Sequence, residues 1–244
     1  MSFSDDEIER YARHLVLAEI GGPGQQRLKA ARVAVVGLGG VGAPASLYLA
    51  AAGVGRLRLI DDDTVGLSNL QRQIAFSDED VGGLKVEAGR RRLEGLNPHV
   101  GIERAAERLT ADHAAGLLEG CDLVIDGTDD FETRFATNAA CVAAGVPLVS
   151  GALGRWSGQV GVFAGRPCYR CLVTETPPDA ETCARVGVVG ALAGVVGSMA
   201  ALEAIKLITG AGEALTARLL IYDGLAGTAR TVRVAADPAC PVCA

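Results

Sequence analysis

The sequence predicts an α/β fold: a doubly wound, Rossmann-like, mainly parallel sheet with an antiparallel C-terminal part. Three observations predict it. The apolar run Val33-Ala34-Val35-Val36 passes directly into Gly37-Leu38-Gly39-Gly40-Val41-Gly42 and then into the helix-forming run from Ala43 to Ala52, the order strand, tight glycine turn, helix. Short apolar strands then alternate with helical stretches as far as Ser150. Beyond Gly151 the alternation of single residues replaces the alternation of elements, which marks antiparallel strands.

The elements follow in order. Ser4-Asp5-Asp6-Glu7 reads as a capping box that starts a helix running to Leu17, with Gly21-Gly22-Pro23-Gly24 expected to end it. This helical arm, residues 1–30, precedes a nucleotide-type core, residues 31–150. A second strand, Arg56 to Ile60, ends in Asp61. Leu84 to Leu96 reads as a helix stopped by Asn97-Pro98, Val100 to Ala105 as a third strand, and Asp112 to Leu118 as a further helix. The strand Leu123-Val124-Ile125-Asp126 leads through Gly127-Thr128-Asp129-Asp130 to a helix from Glu132 to Ala144 and the strand Pro147 to Ser150. In residues 151–244 the strands are Gln159 to Phe163, Arg218 to Tyr222 and Thr228 to Val234, the last two flanking Asp223-Gly224. With no internal repeat and no low-complexity linker, residues 1–244 are expected to form a single domain.

Composition narrows the function. The chain has 244 residues, of which 49% are hydrophobic, enough for one large core. A formal charge of −6 and the lack of a basic stripe with interleaved aromatics exclude nucleic acid as a partner. The acidic, polar start Met1 to Glu7 lacks the basic and apolar regions of a signal peptide, so a cytoplasmic location is expected. The Gly/Ala-rich run Val186 to Leu202 is marginally short for a membrane span and continues into Glu203 and Lys206; it is expected to be a buried helix packed closely on another, including across a subunit contact, with no membrane association.

The glycine loop explains what the core binds. Glycines let the backbone approach a phosphate, and the helix N-terminus then offers free N–H groups and a positive dipole end. Gly37, Gly39, Gly40 and Gly42 are therefore candidate nucleotide contacts, and Asp61 is placed to accept hydrogen bonds from a ribose. Asp61, Asp62 and Asp63 also suit a plain solvated turn. The polar segment Ser68-Asn69-Leu70-Gln71-Arg72-Gln73 is one a dehydrogenase has no reason to carry.

Cys168-Tyr169-Arg170-Cys171 and Cys240-Pro241-Val242-Cys243 form two CxxC knuckles, an arrangement that suits a tetrahedral thiolate site for zinc. The long interval between them means that the metal would staple the C-terminal tail back onto the domain. Four sulfur ligands leave no open coordination position, so the zinc would be structural, with a binding free energy on the order of 10 kcal/mol by analogy with zinc-finger peptides. Two disulfides are the alternative, disfavoured in a reducing compartment. Cys121 and Cys141 read as small buried hydrophobes. Cys183 follows a polar, proline-containing stretch and lies near Arg185, where an exposed thiol is a candidate nucleophile or an incidental loop cysteine.

Together these residues resemble the MoeB/ThiF family, bacterial relatives of the ubiquitin-activating enzymes. The resemblance rests on the glycine loop, the Ser68 to Gln73 segment, Lys85, Thr128-Asp129, Cys183 and the two knuckles, and so covers nearly the whole chain. It implies that the C-terminal glycine carboxylate of a small ubiquitin-like sulfur-carrier protein, ending in Gly-Gly and of the MoaD or ThiS type, attacks the α-phosphate of ATP and releases pyrophosphate. The residues suit that step: Arg72 and Lys85 would neutralise phosphate, Asn69 and Gln73 would position it, and Asp129 at a strand's carboxyl end would hold Mg2+. The resemblance further implies that Arg13 enters the partner's ATP site in a homodimer, that Cys183 forms a covalent link to the carrier in some relatives, and that the pathway is molybdenum cofactor or thiamin biosynthesis, with a weak lean to the MoaD type. Where many relatives carry Thr-Asp-Asn this chain has Thr128-Asp129-Asp130, so Asp130 either tunes metal binding or faces solvent. With nothing after Cys243 resembling a rhodanese domain, sulfur is expected from a separate donor. Two competing readings remain open: an NAD-dependent oxidoreductase on the same glycine loop, and a noncatalytic zinc-stabilised scaffold that binds a carrier.

Overall fold

One continuous sheet organises the chain in a computed structural model that describes residues 2–176 and 187–244. Its strands are β1 (Arg32–Val36), β2 (Arg56–Ile60), β3 (Gly101–Ala105), β4 (Leu123–Asp126), β5 (Leu148–Leu153), β6 (Ser157–Phe163), β7 (Arg218–Asp223) and β8 (Thr228–Arg233), in the spatial order β3-β2-β1-β4-β5-β6-β7-β8. Pairing is parallel from β3 to β5 and antiparallel from β5 to β8, as the change of rhythm after Gly151 implies. The chain reverses its direction of winding between β1 and β4, and this switch point opens a crevice beyond the carboxyl ends of both strands.

The helices are α1 (Asp5–Arg10), α2 (Ala12–Leu15), α3 (Gly21–Ala30), α4 (Gly42–Ala52), α5 (Lys85–Leu96), α6 (Ala114–Leu118), α7 (Phe131–Ala144), α8 (Tyr169–Leu172) and α9 (Gly190–Thr209). The two central strands carry unbroken apolar stretches, Val33 to Val36 in β1 and Leu123 to Ile125 in β4, because both faces are covered there. In β1, Val33 and Val35 pack into one core with Leu49 of α4, Val86 of α5 and Val196 of α9, while Ala34 and Val36 pack into the other with Cys141 of α7, Leu118 of α6 and Tyr169.

Two expectations for the helices are corrected. The capping box forms, with Ser4 Oγ accepting from Glu7 N and Glu7 accepting from Ser4 N, but the first helix breaks at Tyr11 and resumes as α2. Gly21 to Gly24 ends no helix: these residues form the first turn of α3, where Pro23 loses nothing by lacking an N–H. A Cβ on Gly24 would press on the Ile20 Cγ2 at 3.0 Å, while the end of α9 at the Thr209 Cβ would be at ordinary contact distance. The arm is fastened at Gly53, which has φ +81° at the end of α4, and a Cβ there would meet the Tyr11 ring at 2.5 Å. Of the apolar run Val186 to Leu202 predicted as a buried helix, Val186 lies outside the described residues and the helix, α9, starts at Gly190; it is long and apolar enough to cross a membrane and continues seven residues beyond the expected end. One face of it packs against β5, β6, α3 and α4 while Val195 and Leu202 stay exposed, and its buried Glu203 accepts the backbone N–H of Leu215 at 2.7 Å.

Candidate active site

The loop after β1 is built by close backbone contacts. Gly37 has φ +80°, and a Cβ on it would lie 2.8 Å from the Thr128 Cγ2; a Cβ on Gly42 would lie 1.9 Å from the Gly37 carbonyl oxygen. The loop lines a cleft of about 480 Å³ over the switch point. Gly37, Gly39, Gly40, Asp61, Asp63, Asn69, Arg72, Gln73, Lys85, Asp129 and Asp130 all line it, so the structure gathers the greater part of the residues singled out in the sequence. Ser68, Leu70 and Gln71 do not line the cleft and instead support its wall: Ser68 offers its carbonyl to Arg72 Nη1 at 3.1 Å, Leu70 packs on the core, and Gln71 Nε2 donates to the Val188 carbonyl at 3.4 Å. Gly42 lies beneath the loop as the first residue of α4.

Asp61 is buried, and both of its oxygens are engaged: Oδ2 accepts from Leu38 N at 2.6 Å and Oδ1 from Asp63 N at 2.8 Å. Burial raises its pKa, against the opposing pull of Lys85 and of the two backbone donors. The carboxylate thus ties the glycine loop to the end of β2, in addition to facing the cleft. Lys85, the first residue of α5, is buried and donates to Asp63 Oδ2 at 2.7 Å, with Asp61 Oδ1 at 4.0 Å. Asn69 turns inward to accept from Gly66 N at 3.1 Å. Gln73 is buried, and its Oε1 has no hydrogen-bond partner among the described residues, leaving an acceptor free in the cleft wall.

Asp129 is exposed at the cleft mouth, with no hydrogen-bond or ion-pair partner among the described residues. Asp130, by contrast, is the N-cap of α7: it accepts from Thr133 N at 2.9 Å, Thr133 Oγ1 at 2.6 Å and Glu132 N at 3.4 Å. Burial acts to raise the Asp130 pKa, but these donors outweigh it and hold the carboxyl below its usual range. Arg13 projects from α2 into solvent, is not among the residues lining the cleft of its own chain, and has no partner among the described residues. Cys183 lies outside the described residues.

Sequence reasoning missed a buried charged pair under the cleft. Arg134 on α7 sits with its Nη1 3.5 Å from Asp126 Oδ2 at the end of β4, and both side chains are almost fully enclosed. A signal was present: Arg134, Thr137, Asn138 and Cys141 follow one another at helical spacing, a polar stripe on the face of α7 that turns out to be buried. Arg108 and Leu109, which follow β3, complete the cleft's outer wall, and Arg108 pairs with Asp62 at 3.4 Å.

The two knuckles converge. The Sγ atoms of Cys168, Cys171, Cys240 and Cys243 all lie within 4.8 Å of one another, with Cys168 and Cys240 3.7 Å apart and Cys171 and Cys243 3.4 Å apart. These separations are far from the roughly 2 Å of a disulfide and near the roughly 3.8 Å between sulfurs around one tetrahedral zinc. Burial raises the Cys240 thiol, but the backbone donors of Val242 and Cys243 and the neighbouring thiols bring it down to about 7. Burial and the thiols of Cys171 and Cys168 push Cys243 to about 12, the behaviour of clustered sulfurs that cannot all ionise without a cation. The cluster could hold a metal ion. Cys121 and Cys141 are buried apart from it, and burial raises both, Cys141 to about 12.

Comparison with known proteins agrees with this geometry. The pattern of the ThiF family matches residues 11–242. The chain is 44% identical to the sulfur carrier protein adenylyltransferase of Thermus thermophilus, over all of this chain and 93% of that one. It is 46% identical to the molybdopterin-synthase adenylyltransferase of Escherichia coli, over 98% of each. The crystal structure of E. coli MccB superposes with a TM-score of 0.84 over 99% of this chain and 74% of that one, at 23% identity, a likeness of fold.

Proposed function

The chain belongs to the ThiF family, and from that premise we propose that it is an ATP-dependent adenylyltransferase acting on the C-terminal glycine of a small ubiquitin-like sulfur-carrier protein. The observation that carries the reading is the cleft itself: a glycine loop and two cations, Arg72 and Lys85, line one cavity over the switch point of the sheet. A carboxylate oxygen attacks the α-phosphorus, the bond from that phosphorus to the bridging oxygen breaks, and pyrophosphate leaves with the bond's electrons. Two anions must meet for this to happen. Arg72 and Lys85 offset their repulsion, and the loop N–H groups orient the phosphates. Lys85 rests between Asp63 and Asp61, and a phosphate would take the place of one of them. Asn69 braces the turn that presents Arg72, and the free Gln73 oxygen accepts a donor from the substrates.

Asp129 carries a carboxylate unencumbered by other partners and suits Mg2+ as a hard oxygen ligand. When bound, the ion would draw charge from the phosphate oxygens. The four-cysteine cluster suits structural zinc, with no open position for substrate. Carriers of the MoaD type are favoured over the ThiS type, in molybdenum cofactor rather than thiamin biosynthesis, with the enzyme in the cytoplasm. ATP–pyrophosphate exchange that depends on an added carrier ending in Gly-Gly tests the assignment; no exchange with either carrier type, or hydride transfer to NAD, would refute it.

The active unit is a homodimer in which Arg13 of one protomer serves the cleft of the other. Its exposure on α2, away from its own cleft, supports this, as do the exposed apolar side chains of Val16, Leu17, Tyr48 and Leu202. Mixing inactive Arg13→Ala with inactive Lys85→Ala should restore exchange, because a mixed dimer contains one intact cleft. Absence of complementation in a mixture shown to exchange subunits would remove the trans assignment.

A further inference from the structure

A closed ring of polar contacts underlies the turn that carries Asp129. Asp126 Oδ1 accepts from Thr128 N at 3.0 Å and from Thr128 Oγ1 at 2.7 Å. Asp126 Oδ2 faces Arg134 Nη1 at 3.5 Å and Ser150 Oγ at 3.4 Å. Arg134 Nη1 donates to Ser150 Oγ at 3.2 Å, while Nη2 donates to the Gly151 carbonyl at 2.9 Å and to the Thr128 carbonyl, the oxygen of the peptide unit leading into Asp129. One guanidinium thus joins the end of β4 and the middle of β5 to the first turns of α7.

The planar fork of arginine makes this geometry available; a lysine ammonium could keep the charge but not reach all four acceptors in a fixed arrangement. The pair is costly to bury, since two ions leave water, and hydrophobic residues of similar volume serve stability as well or better. The retained pair is explained by what it holds. Thr128 touches Gly37 on one side and precedes Asp129 on the other, so its peptide sets the phosphate loop and the carboxylate relative to each other. On this basis we infer that Arg134, with Asp126, is a positioning residue that fixes the Asp129 carboxylate for the divalent cation of the nucleotide. The inference rests on the proposed role of Asp129 as a cation ligand.

The test uses the full-length protein with a non-hydrolysable ATP analogue and Mn2+, whose binding is followed by electron paramagnetic resonance. Arg134→Lys keeps a charge beside Asp126 and should still weaken Mn2+ binding by about tenfold or more, as outer-shell partners of metal ligands do. Affinity for the analogue without metal should be retained, and amide exchange should rise locally across residues 127–130. Should that variant fail to fold, the double variant Asp126→Asn with Arg134→Met removes both charges and keeps a hydrogen-bond acceptor for Thr128, with the same outcome expected. A merely structural role would lower thermal stability and leave Mn2+ affinity as in the parent; that result overturns the inference. Asp129→Ala separates the two layers: unchanged Mn2+ affinity there would refute the role of Asp129 itself, whereas weakened affinity there with none in the Arg134 variants would refute only the positioning.

Discussion

At the scale of the residue, charge and geometry divide the labour within the cleft. Among the described residues the Arg72 side chain is tethered only through the Ser68 carbonyl, which leaves most of its donors for phosphate. Arg72→Ala should therefore depress carrier-dependent pyrophosphate exchange by about two orders of magnitude or more, by comparison with other donors that stabilise a transition state; unchanged turnover would remove it from the chemistry. Asp130 serves stability. Its carboxyl is lowered in the folded protein, so its contribution is fully present above the ordinary Asp value of about 4 and is lost as pH falls through the folded value. Asp130→Ala should cost about 1 kcal/mol at neutral pH as a lost N-cap, while Asp130→Asn should keep most of the cap and lose its acid sensitivity, both read by urea denaturation across pH 3 to 7. The Asp129 and Asp130 pair could not be separated in sequence, because two adjacent carboxylates differ only in which one the first turn of α7 captures.

At the scale of the element, close approach decides which glycines matter. Gly197 lies where α9 crosses α4, and a Cβ there would stand 2.4 Å from the Pro44 Cγ and 2.7 Å from the Val41 carbonyl oxygen. Gly197→Ala should push the two helices apart and lower stability by about 1 to 3 kcal/mol. Gly95 in α5 meets nothing within 4 Å, so Gly95→Ala should raise stability by up to about 1 kcal/mol. Thermal melts of both variants read the contrast, and equal shifts of one sign would contradict it. Gly21 to Gly24 were misread because a glycine-proline cluster signals a stop in sequence, yet a proline is equally at home in the first turn of a helix, which is where α3 places it. The parallel strands at the centre were legible because burial on both faces leaves apolar runs, and the antiparallel part because Gln159 to Phe163 breaks the strand-helix rhythm and two strand-like segments flank Asp223-Gly224.

At the scale of the whole molecule, the four-cysteine cluster closes the chain on itself. Cys168 and Cys171 lie around α8, and the tail after β8 returns to them, with Asp237 N donating to Cys171 Sγ at 3.4 Å. Removal of the ion by a chelator, or Cys240→Ser, should release the tail beyond Val234 to proteolysis and lower the melting temperature before exchange activity is lost. Bound zinc measured by elemental analysis should fall from one equivalent per chain; a parent protein with no zinc would refute the assignment. Asn138 Nδ2 donates to Cys168 Sγ at 3.5 Å and its Oδ1 accepts from Tyr169 N at 2.8 Å, so α7 reaches the cluster one turn beyond Arg134.

The sequence by itself determined the strand-glycine-helix start, the order of elements, the convergent cysteine pairs and the cationic segment, because each is written in local spacing that short-range geometry enforces. Only the tertiary structure decided that Asp61 braces the glycine loop, that Asp130 caps α7, and that Asp126 and Arg134 form a buried pair beneath Asp129. Those contacts join residues from different strands and helices. Their partners are chosen by the packing of β4, β5 and α7, which no local pattern of apolar and polar residues encodes.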